Sequence, residues 1–321
     1  MKINSKVLVT GASGRIGSKL VRKLASLDLE VYAFSTNNTF HDEPKIKYIK
    51  KSRGGAIAEK LPEFNLIYHL SSQTSAYVAR TSVTNDIQTN LVDTIQLVET
   101  LSRQSQPPTF IYAGSMTEYG MGNSAPINED FKVNALTFYD VGKIATEMYL
   151  SQYVREGKLR NCTTLRLSNI YGMQQFSIDN DRGFIDRCIK NSIQGNNIEM
   201  FGDGNYLRDY LHINDAVEAF CSAGKIIDDG AINIFNIGTG KGTVFKKALE
   251  QILENANKLT GKNSKLTIKQ FPESAYQIEK RNSIADPRQF MNRTDWEPVI
   301  EFEQGIKEEV VNAFSKFEQN H

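Results

Sequence analysis

Features typical of secreted, zinc-binding and nucleic-acid-binding proteins are scarce in this 321-residue sequence. It has only three cysteines, Cys162, Cys188 and Cys221, and their odd number and wide spacing fit neither a disulfide framework nor a zinc cluster. We therefore expect reduced thiols, a cytoplasmic location and no metal site. The formal net charge is only +1, without a block of like charges, so we expect no nucleic-acid partner.

Long hydrophobic runs are also missing. No run approaches the roughly 18 apolar residues that a membrane-spanning helix requires, so we expect no membrane association. The start of the chain, MKINSKVLVTG, lacks the apolar core of a signal peptide. With 40% hydrophobic and 23% charged residues, the composition is that of a soluble globular protein.

What the sequence does contain is an alternation of short apolar runs with longer amphipathic ones. Strands are predicted at residues 7–10, 30–35, 46–49, 66–70, 109–113 and 163–167, and helices at 15–27, 86–103 and 138–156. This alternation predicts an α/β fold with a doubly wound parallel (Rossmann) sheet, whose ligands bind at the carboxyl ends of the strands.

After residue 170 the sequence becomes more polar and is dotted with glycine. A helix near 214–226, a strand at 233–238 and a helix near 244–259 are predicted in this part. We predict a Rossmann domain over residues 1–170, to which the chain returns at about 210–240. Residues 171–209 and 241–321 are predicted to form a smaller α/β C-terminal lobe.

A glycine loop joins the first predicted strand to the first predicted helix in VLVTGASGRIGSKLV. Gly11 permits a sharp turn, Gly14 lets the backbone approach a pyrophosphate, and Gly17 lets helix and strand pack closely. Backbone N–H groups at the start of the helix hold the anion. The loop indicates a phosphate-bearing cofactor, and the alternative is a plain strand–turn–helix connection.

The second predicted strand ends in Ser35, where an NAD-binding fold usually carries an acid that accepts from the ribose hydroxyls. Without a carboxylate, a 2′-phosphate is tolerated there. We expect Arg15 to point toward the same region, with added positive potential from Lys50, Lys51 and Arg53. These features favour NADP(H) slightly over NAD(H). The alternative is a solvated Arg15 with NAD bound.

The segment FYDVGKIATEMYL places Tyr139 and Lys143 four residues apart, on one helix face. A phenol is a poor acid–base group at neutral pH, and a nearby ammonium lowers its pKa. The apolar strand in TFIYAGSMTEYG delivers Ser115 at its carboxyl end, where its hydroxyl can share a proton with Tyr139. Tyr-x-x-x-Lys alone is common and also fits a solvated helix face, but the three motifs in this order are far more specific.

Together these residues resemble the extended short-chain dehydrogenase/reductase family, in the branch of UDP-galactose 4-epimerase and other nucleotide-sugar epimerases, dehydratases and ketoreductases. The resemblance covers nearly the whole chain and rests on VTGASGRIG, YHLSS, NLVDT, LRLSNIYG and, most specifically, FGDGNYLRDYLHINDAVEAF. It implies a catalytic triad of Ser115, Tyr139 and Lys143. It implies cofactor binding by Gly11, Ser13, Gly14, Arg15, Ile16, Gly17, Ser35, Leu70, Ser71, Asn90, Tyr139 and Lys143. It implies substrate binding by Thr117, Asn169, Arg208 and Tyr276, with Arg208 on a phosphate.

Two further departures from the family pattern restrict the function. The family's 4,6-dehydratases carry an Asp-Glu pair where this chain has Met116 and Thr117, so dehydration is not expected. Glu118 follows, but alternation along an extended segment would point it away. In the last lobe, Tyr276 occupies the expected position of a second phosphate-binding arginine, and Arg281 is the nearby alternative.

The resemblance therefore implies an NAD(P)(H)-dependent oxidoreductase acting at C4 of a nucleotide-linked sugar. We expect an NADPH-dependent 4-reductase of an NDP-4-keto-6-deoxysugar. The first alternative is an NAD-dependent nucleotide-sugar 4-epimerase, and the second is an NADP-binding sensor without catalysis. By analogy with the family, helices 86–103 and 138–156 are expected to form a homodimer interface.

Overall fold

Runs of β-branched and aromatic residues form the strands of the fold, and amphipathic segments between them form its helices. The computed structural model describes residues 5–27, 29–51, 61–122, 126–172 and 183–319. The strands are β1 (Lys6–Thr10), β2 (Glu30–Ser35), β3 (Ile46–Lys50), β4 (Leu66–His69), β5 (Thr109–Ser115), β6 (Asn161–Leu167), β7 (Asn169–Tyr171), β8 (Ile198–Phe201), β9 (Leu207–Arg208), β10 (Tyr210–His212), β11 (Ile232–Ile237), β12 (Thr243–Val244) and β13 (Leu266–Lys269).

Most of the α-helices lie in segments whose apolar residues recur with a helical period. The helices are α1 (Arg15–Ala25), α2 (Ala76–Thr81), α3 (Val83–Ile87), α4 (Asp93–Leu101), α5 (Phe138–Arg155), α6 (Phe184–Gln194), α7 (Ile213–Ala223), α8 (Phe245–Thr260), α9 (Arg288–Arg293) and α10 (Phe302–Gln319). A π-helical turn spans Gln88–Val92, and 3₁₀ turns span Met116–Tyr119 and Gln277–Lys280. None of the helices in the described ranges is both long and apolar enough to cross a membrane.

Seven strands form one sheet in the order β11-β6-β5-β4-β1-β2-β3, and every neighbouring pair is parallel. The chain builds outward from β1 in both directions, so the predicted doubly wound sheet is confirmed. The order reverses beside β1, which pairs with β2 through Val7–Val31 and with β4 through Val7–Leu66. A reversal of this kind opens a crevice at the carboxyl ends of the strands.

The sheet is buried on both faces, as parallel sheets are when helices cover them. Val7 and Val9 join one hydrophobic cluster with residues of α1 and α7, whereas Leu8 joins another with residues of α4 and α5. This alternation follows from the period of two along a strand. At the carboxyl edge of the sheet, β1, β2, β4 and β5 end in the polar residues Thr10, Ser35, His69 and Ser115.

A third hydrophobic cluster joins α6, α8 and α10, through residues such as Ile189, Ile252 and Val310. Three small pairings accompany it: β10 with β7 and β13 with β8 are parallel, and β12 with β9 is antiparallel. The domain boundaries at 170, 209 and 241 stay a prediction.

The helix predicted over residues 86–103 is interrupted. α3 ends at Ile87, the π-turn follows, and α4 begins at Asp93. Within the π-turn, the carbonyl oxygen of Asn90 accepts hydrogen bonds from the hydroxyls of Thr94 (2.8 Å) and Thr146 (3.1 Å). A π-turn is a single widened turn inside a segment that is helical on both sides, so hydrophobic periodicity, which predicts the helical segment as a whole, does not reveal it.

Candidate active site

The glycine loop lies in the crevice beside β1. Gly11 has φ +65°, and a Cβ on it would lie 2.7 Å from the backbone nitrogen of Ser71. A Cβ on Gly17 would collide with the carbonyl oxygen of Gly11. Only glycine fits these two positions, because one needs a left-handed backbone and both are closely approached by other main chain.

Helix α1 begins directly after this loop. Gly14 is its N-cap residue and donates its N–H to the carbonyl oxygen of Gly11 at 2.8 Å. The first intrahelical bond is made by Ser18, so the first-turn N–H groups, including that of Ile16, have no helical acceptor. Ser13 lies in the turn before them, and the first helical turn carries no acidic residue. The arrangement fits a dinucleotide pyrophosphate, since N–H groups and the helix dipole both favour an anion.

The guanidinium of Arg15 turns toward α6. It forms an ion pair with Asp186 of α6 and donates to the carbonyl oxygen of Gly172 at 3.2 Å. Asp186 also accepts from the backbone N–H of Gly172 at 3.0 Å. The expectation that Arg15 points toward the end of β2 is therefore wrong, because a nearly buried carboxylate holds the guanidinium elsewhere.

Ser35 ends β2, is buried, and donates its hydroxyl to a backbone carbonyl in the following turn at 2.6 Å. Lys51 forms an ion pair with Asp93 of α4 at 2.8 Å. Lys50 is exposed, and Arg53 lies outside the described residues. The positive charge of Lys51 is thus balanced by a carboxylate. Only the absence of an acid at the end of β2, where Ser35 lies, still favours NADP(H).

Leu70 and Ser71 follow β4 and line the other side of the crevice. The N–H of Leu70 donates to the carbonyl oxygen of Thr10 at 3.3 Å, and that of Ser71 donates to the Thr10 hydroxyl at 3.2 Å. These bonds hold the segment against the end of β1, next to Gly11.

Asn90 is buried in the π-turn and fixes the continuation of this segment. Its Oδ1 accepts from the N–H of Gln73 at 2.8 Å and from the hydroxyl of Ser72 at 2.9 Å. Its Nδ2 donates to Oδ1 of Asp86 at 2.9 Å. The side chain of Asn90 is therefore used to position the loop after β4.

His69 braces the same edge of the sheet. Its two ring nitrogens lie 2.8 Å from the hydroxyls of Thr10 and Thr94. Burial, reinforced by the positive charges of Lys143 and Lys51, lowers the pKa of His69 to about 3. The imidazole is neutral at physiological pH and acts as a structural link between β1, β4 and α4.

Ser115, Thr117 and Tyr139 are brought together at the carboxyl end of β5. Ser115 Oγ lies 2.9 Å from Thr117 Oγ1 and accepts the N–H of Thr117 at 3.3 Å. Burial and the carboxyl of Glu118 raise the pKa of Tyr139, and a hydrogen bond with Ser115 opposes that rise. The phenol is therefore protonated, and the expected lowering of its pKa by Lys143 is outweighed by burial.

Lys143 lies on the same face of α5 as Tyr139. Its Nζ donates to the carbonyl oxygen of Ala113 at 2.8 Å and lies 5.7 Å from the centre of the Tyr139 ring. Burial lowers the pKa of Lys143 to about 8, against the opposing pull of Glu118, Glu147 and Asp86. The ammonium is thus held near the phenol.

Glu118, Arg166 and Glu147 form a buried cluster beneath Ser115 that the sequence does not predict. Residues 116–119 form a 3₁₀ turn, so the expected alternation that directs Glu118 away does not apply. Glu118 is fully buried and lies 3.1 Å from Nε of Arg166, which in turn pairs with Glu147 at 2.6 Å. Spacing gives no signal for the cluster, because its members come from a turn, α5 and β6.

Of the predicted substrate residues, Thr117 lies beside Ser115, whereas Asn169 lies in β7, Arg208 in β9 and Tyr276 directly before the Gln277–Lys280 turn. Asn169 donates its Nδ2 to the carbonyl oxygen of Asp209 at 3.0 Å. Arg208 is buried, stacks 4.4 Å from the centre of the Tyr206 ring, and donates to the carbonyl oxygens of Glu279 (2.7 Å) and Arg281.

Two guanidinium groups meet here. Burial, together with the positive charge of Arg281, lowers the pKa of Arg208 to about 10. Nε of Arg281 has no hydrogen-bond partner among the described residues. Tyr276 contacts Tyr77 with ring centres 5.5 Å apart and Arg80 at 5.1 Å. Arg281 therefore lies beside Arg208, and Tyr276 belongs to a separate aromatic contact with α2.

Comparison with known proteins identifies relatives of this arrangement. The model of the NAD dependent epimerase/dehydratase family matches residues 7–238. The chain is 30% identical to a UDP-glucose 4-epimerase of Mycolicibacterium smegmatis, over 73% of this chain and 77% of the relative. It is 25% identical to a dTDP-4-dehydro-6-deoxyglucose reductase of Escherichia coli, over 94% of this chain and 95% of the relative. The solved structure of a Thermotoga maritima UDP-glucose 4-epimerase with UDP-glucose superposes with a TM-score of 0.83, at 26% identity and 98% and 99% coverage.

The lowered pKa of Lys143 predicts a pH-dependent stability. Between pH 8 and about 10.4 the unfolded chain keeps a proton on this amine that the folded chain releases, so stability rises with pH across that window. Relative to a Lys143→Met variant, the free energy of unfolding of the wild type should rise by about 3 kcal/mol from pH 7 to pH 10.5.

Urea denaturation of both proteins across this pH range measures the difference. An exposed Lys265→Met variant controls for the loss of one positive charge. Parallel pH profiles for the wild type and Lys143→Met would contradict the assignment of a lowered pKa.

Proposed function

The chain belongs to the NAD-dependent epimerase/dehydratase family, and on that premise we propose an NAD(P)(H)-dependent oxidoreductase that acts at C4 of a nucleotide-linked sugar. One observation carries the proposal: Ser115, Tyr139 and Lys143 converge at the carboxyl end of β5, on the same edge of the sheet as the glycine loop. A proton donor and a cation beside a dinucleotide cradle are what reversible carbonyl reduction needs.

The cofactor contacts follow from the cradle. We propose that the dinucleotide is held by Gly11, Ser13, Gly14, Ile16, Gly17, Ser35, Leu70, Ser71, Tyr139 and Lys143, with Asn90 positioning the loop after β4. A bound nicotinamide supplies or accepts a hydride at C4. Arg15 is not included, because Asp186 and Gly172 already engage its guanidinium.

Tyr139 is proposed to exchange a proton with the oxygen on C4. A raised pKa keeps the phenol protonated at neutral pH, which suits donation to an oxygen that gains negative charge during reduction. Ser115 shares this proton through its hydrogen bond with Tyr139, and Thr117, whose hydroxyl lies 2.9 Å from that of Ser115, is proposed to contact the substrate. Lys143 stabilises the phenolate that remains after donation.

The guanidinium pair supports a phosphate-bearing substrate. None of the ion pairs found within the described ranges includes Arg208 or Arg281. Arg208 is buried and Arg281 is half-buried, and the carboxylates of Glu279 and Asp140 act on them without forming an ion pair. A diphosphate would offset this charge, since guanidinium groups match phosphate oxygens with two hydrogen bonds. We propose Arg208 and Arg281 as the phosphate ligands, in place of Tyr276, with Asn169 beside them.

Reduction by NADPH is the favoured direction, and epimerisation with NAD is the second candidate. Ser35 at the end of β2 offers no carboxylate to repel a 2′-phosphate, and Tyr139 stands protonated. The 30% identity to a UDP-glucose 4-epimerase favours epimerisation. Incubation with an NDP-4-keto-6-deoxyhexose and NADPH, or with an NDP-hexose and no added cofactor, separates them. Consumption of NADPH supports the reductase, and interconversion of C4 epimers supports the epimerase.

Removing the phenol tests the proton donor. Tyr139→Phe should lower kcat by about 10²- to 10⁴-fold, because a positioned acid contributes a factor of that size. Cofactor affinity, measured by quenching of Trp296 fluorescence or by calorimetry, should change little. Full activity of this variant would overturn the assignment, and activity of neither wild type nor variant on any such sugar would overturn the function.

Removing the second guanidinium tests the phosphate site. Arg281→Ala should raise KM for the nucleotide sugar by about 10- to 100-fold, since a charge-assisted hydrogen bond contributes about 1.5–3 kcal/mol. Its Kd for the cofactor should stay unchanged. Lys280→Ala, which removes the adjacent positive charge, is the matched control. Equal KM values for the two variants would mean that Arg281 does not bind phosphate.

We propose a homodimer through an apolar face of α5. Val141 and Met148, one heptad apart, are 54% and 67% exposed, and Phe138, Tyr149 and Ile87 of α3 are exposed beside them. An exposed apolar patch on a helix usually marks an interface. Met148→Glu should shift the sedimentation coefficient from dimer to monomer, whereas Leu259→Glu on α8 should not. A monomeric wild type would contradict the proposal.

A further inference from the structure

Two buried carboxyl groups share one guanidinium beneath the candidate active site. The side chains of Glu118, Glu147 and Arg166 are 0%, 6% and 6% exposed. Arg166 donates from Nε and Nη2 to the two oxygens of Glu147, at 3.1 and 2.6 Å. Both of these donors are therefore directed at Glu147, so the charges of Arg166 and Glu147 neutralise each other.

Glu118 is the carboxyl that receives no hydrogen bond from this guanidinium. Its Oε2 lies 3.1 Å from Nε of Arg166 but is not aligned for a hydrogen bond, and it has no other donor. It faces Glu147, and two ionised carboxylates in contact can only repel. A proton on Oε2 gives this oxygen a hydrogen bond to Glu147. Burial and Glu147 both raise the pKa of Glu118, in agreement with a neutral acid.

The other oxygen of Glu118 holds the backbone of the catalytic turn. Oε1 accepts the N–H of Ser115 at 2.7 Å, while the hydroxyl of Ser115 accepts the N–H of Thr117 at 3.3 Å. The carbonyl oxygen of Glu118 accepts the N–H of Asn134 at 2.8 Å, and Tyr119 is anchored by its hydroxyl to Asn236 at 2.9 Å. Glu118 therefore sits at the centre of the contacts that set where the Ser115 hydroxyl points.

We propose that Glu118, as a neutral carboxylic acid, is a positioning residue. It holds the Met116–Tyr119 turn so that the Ser115 hydroxyl keeps its hydrogen bond with the Tyr139 phenol. This inference rests on the proposed function of Ser115 and Tyr139. Glu118 itself touches neither substrate nor cofactor in this scheme. An apolar residue at this position would leave the N–H of Ser115 buried without an acceptor and release the turn.

Two substitutions distinguish positioning from mere packing. Glu118→Gln keeps an acceptor for Ser115 and a donor for Glu147, and should retain kcat within about threefold. Glu118→Leu lacks both and should lower kcat by about 10- to 100-fold, since small misplacements of catalytic groups cost that much. KM for the nucleotide sugar and Kd for the cofactor should remain within about twofold of the wild type.

A control separates loss of stability from loss of geometry. Glu309 of α10 is also buried, with Oε1 3.3 Å from Nε2 of His212, and Glu309→Leu should lower the melting temperature without lowering kcat. Wild-type kcat in Glu118→Leu would overturn the proposal. Equal losses in Glu118→Gln and Glu118→Leu would also overturn it, because an ionised carboxylate would then be required.

An infrared measurement decides the protonation without any turnover. The difference spectrum of wild type minus Glu118→Gln at pH 7 should contain the C=O stretching band of a protonated carboxylic acid. A carboxylate band in its place would overturn the neutral acid even if Glu118→Leu folds poorly. Absence of turnover by the wild type would refute the proposed function, while this spectrum would still test Glu118.

Discussion

Parallel pairing of β1 with β2 on one side and with β4 on the other is the constraint on which the site depends. Because the chain order reverses there, the connections that follow β1 and β4 diverge. They leave a crevice at the carboxyl ends of these two strands. Gly11 enters it with a left-handed backbone, and Gly17 packs on the Gly11 carbonyl. Thr10 and His69 then tie the two strand ends together.

Burial at this edge sets the protonation of the acid–base groups. His69 is neutral, Tyr139 keeps its proton, and the pKa of Lys143 falls to about 8. Each shift has the direction that removal from water imposes on a charge. The carboxylate of Glu147 opposes it at Lys143, so the ammonium is retained near the phenol at neutral pH. A cation, a protonated phenol and a hydroxyl are thereby held together.

Charge balance distinguishes the arginines of the molecule. Arg15 and Arg166 each pair with a carboxylate and serve the architecture, one between α1 and α6 and the other beneath Ser115. Arg208 and Arg281 are met by backbone carbonyls and by each other. Glu279 offsets part of this charge without forming an ion pair, and a phosphate bound directly to both guanidinium groups would offset more of it, which is the physical basis for proposing a phosphate there.

The sequence by itself determined the doubly wound sheet, the glycine loop and the order of Ser115, Tyr139 and Lys143, because these depend on local periodicity and on spacing within single elements. Only the tertiary structure decided the partner of Arg15, the π-turn at Asn90, the meeting of Arg208 with Arg281, and the burial of Glu118 against Arg166. Each of these joins residues from different elements, and the distance between side chains across a fold is not encoded in their spacing along the chain. The pKa shifts belong to the same group, since burial exists only once the chain has packed.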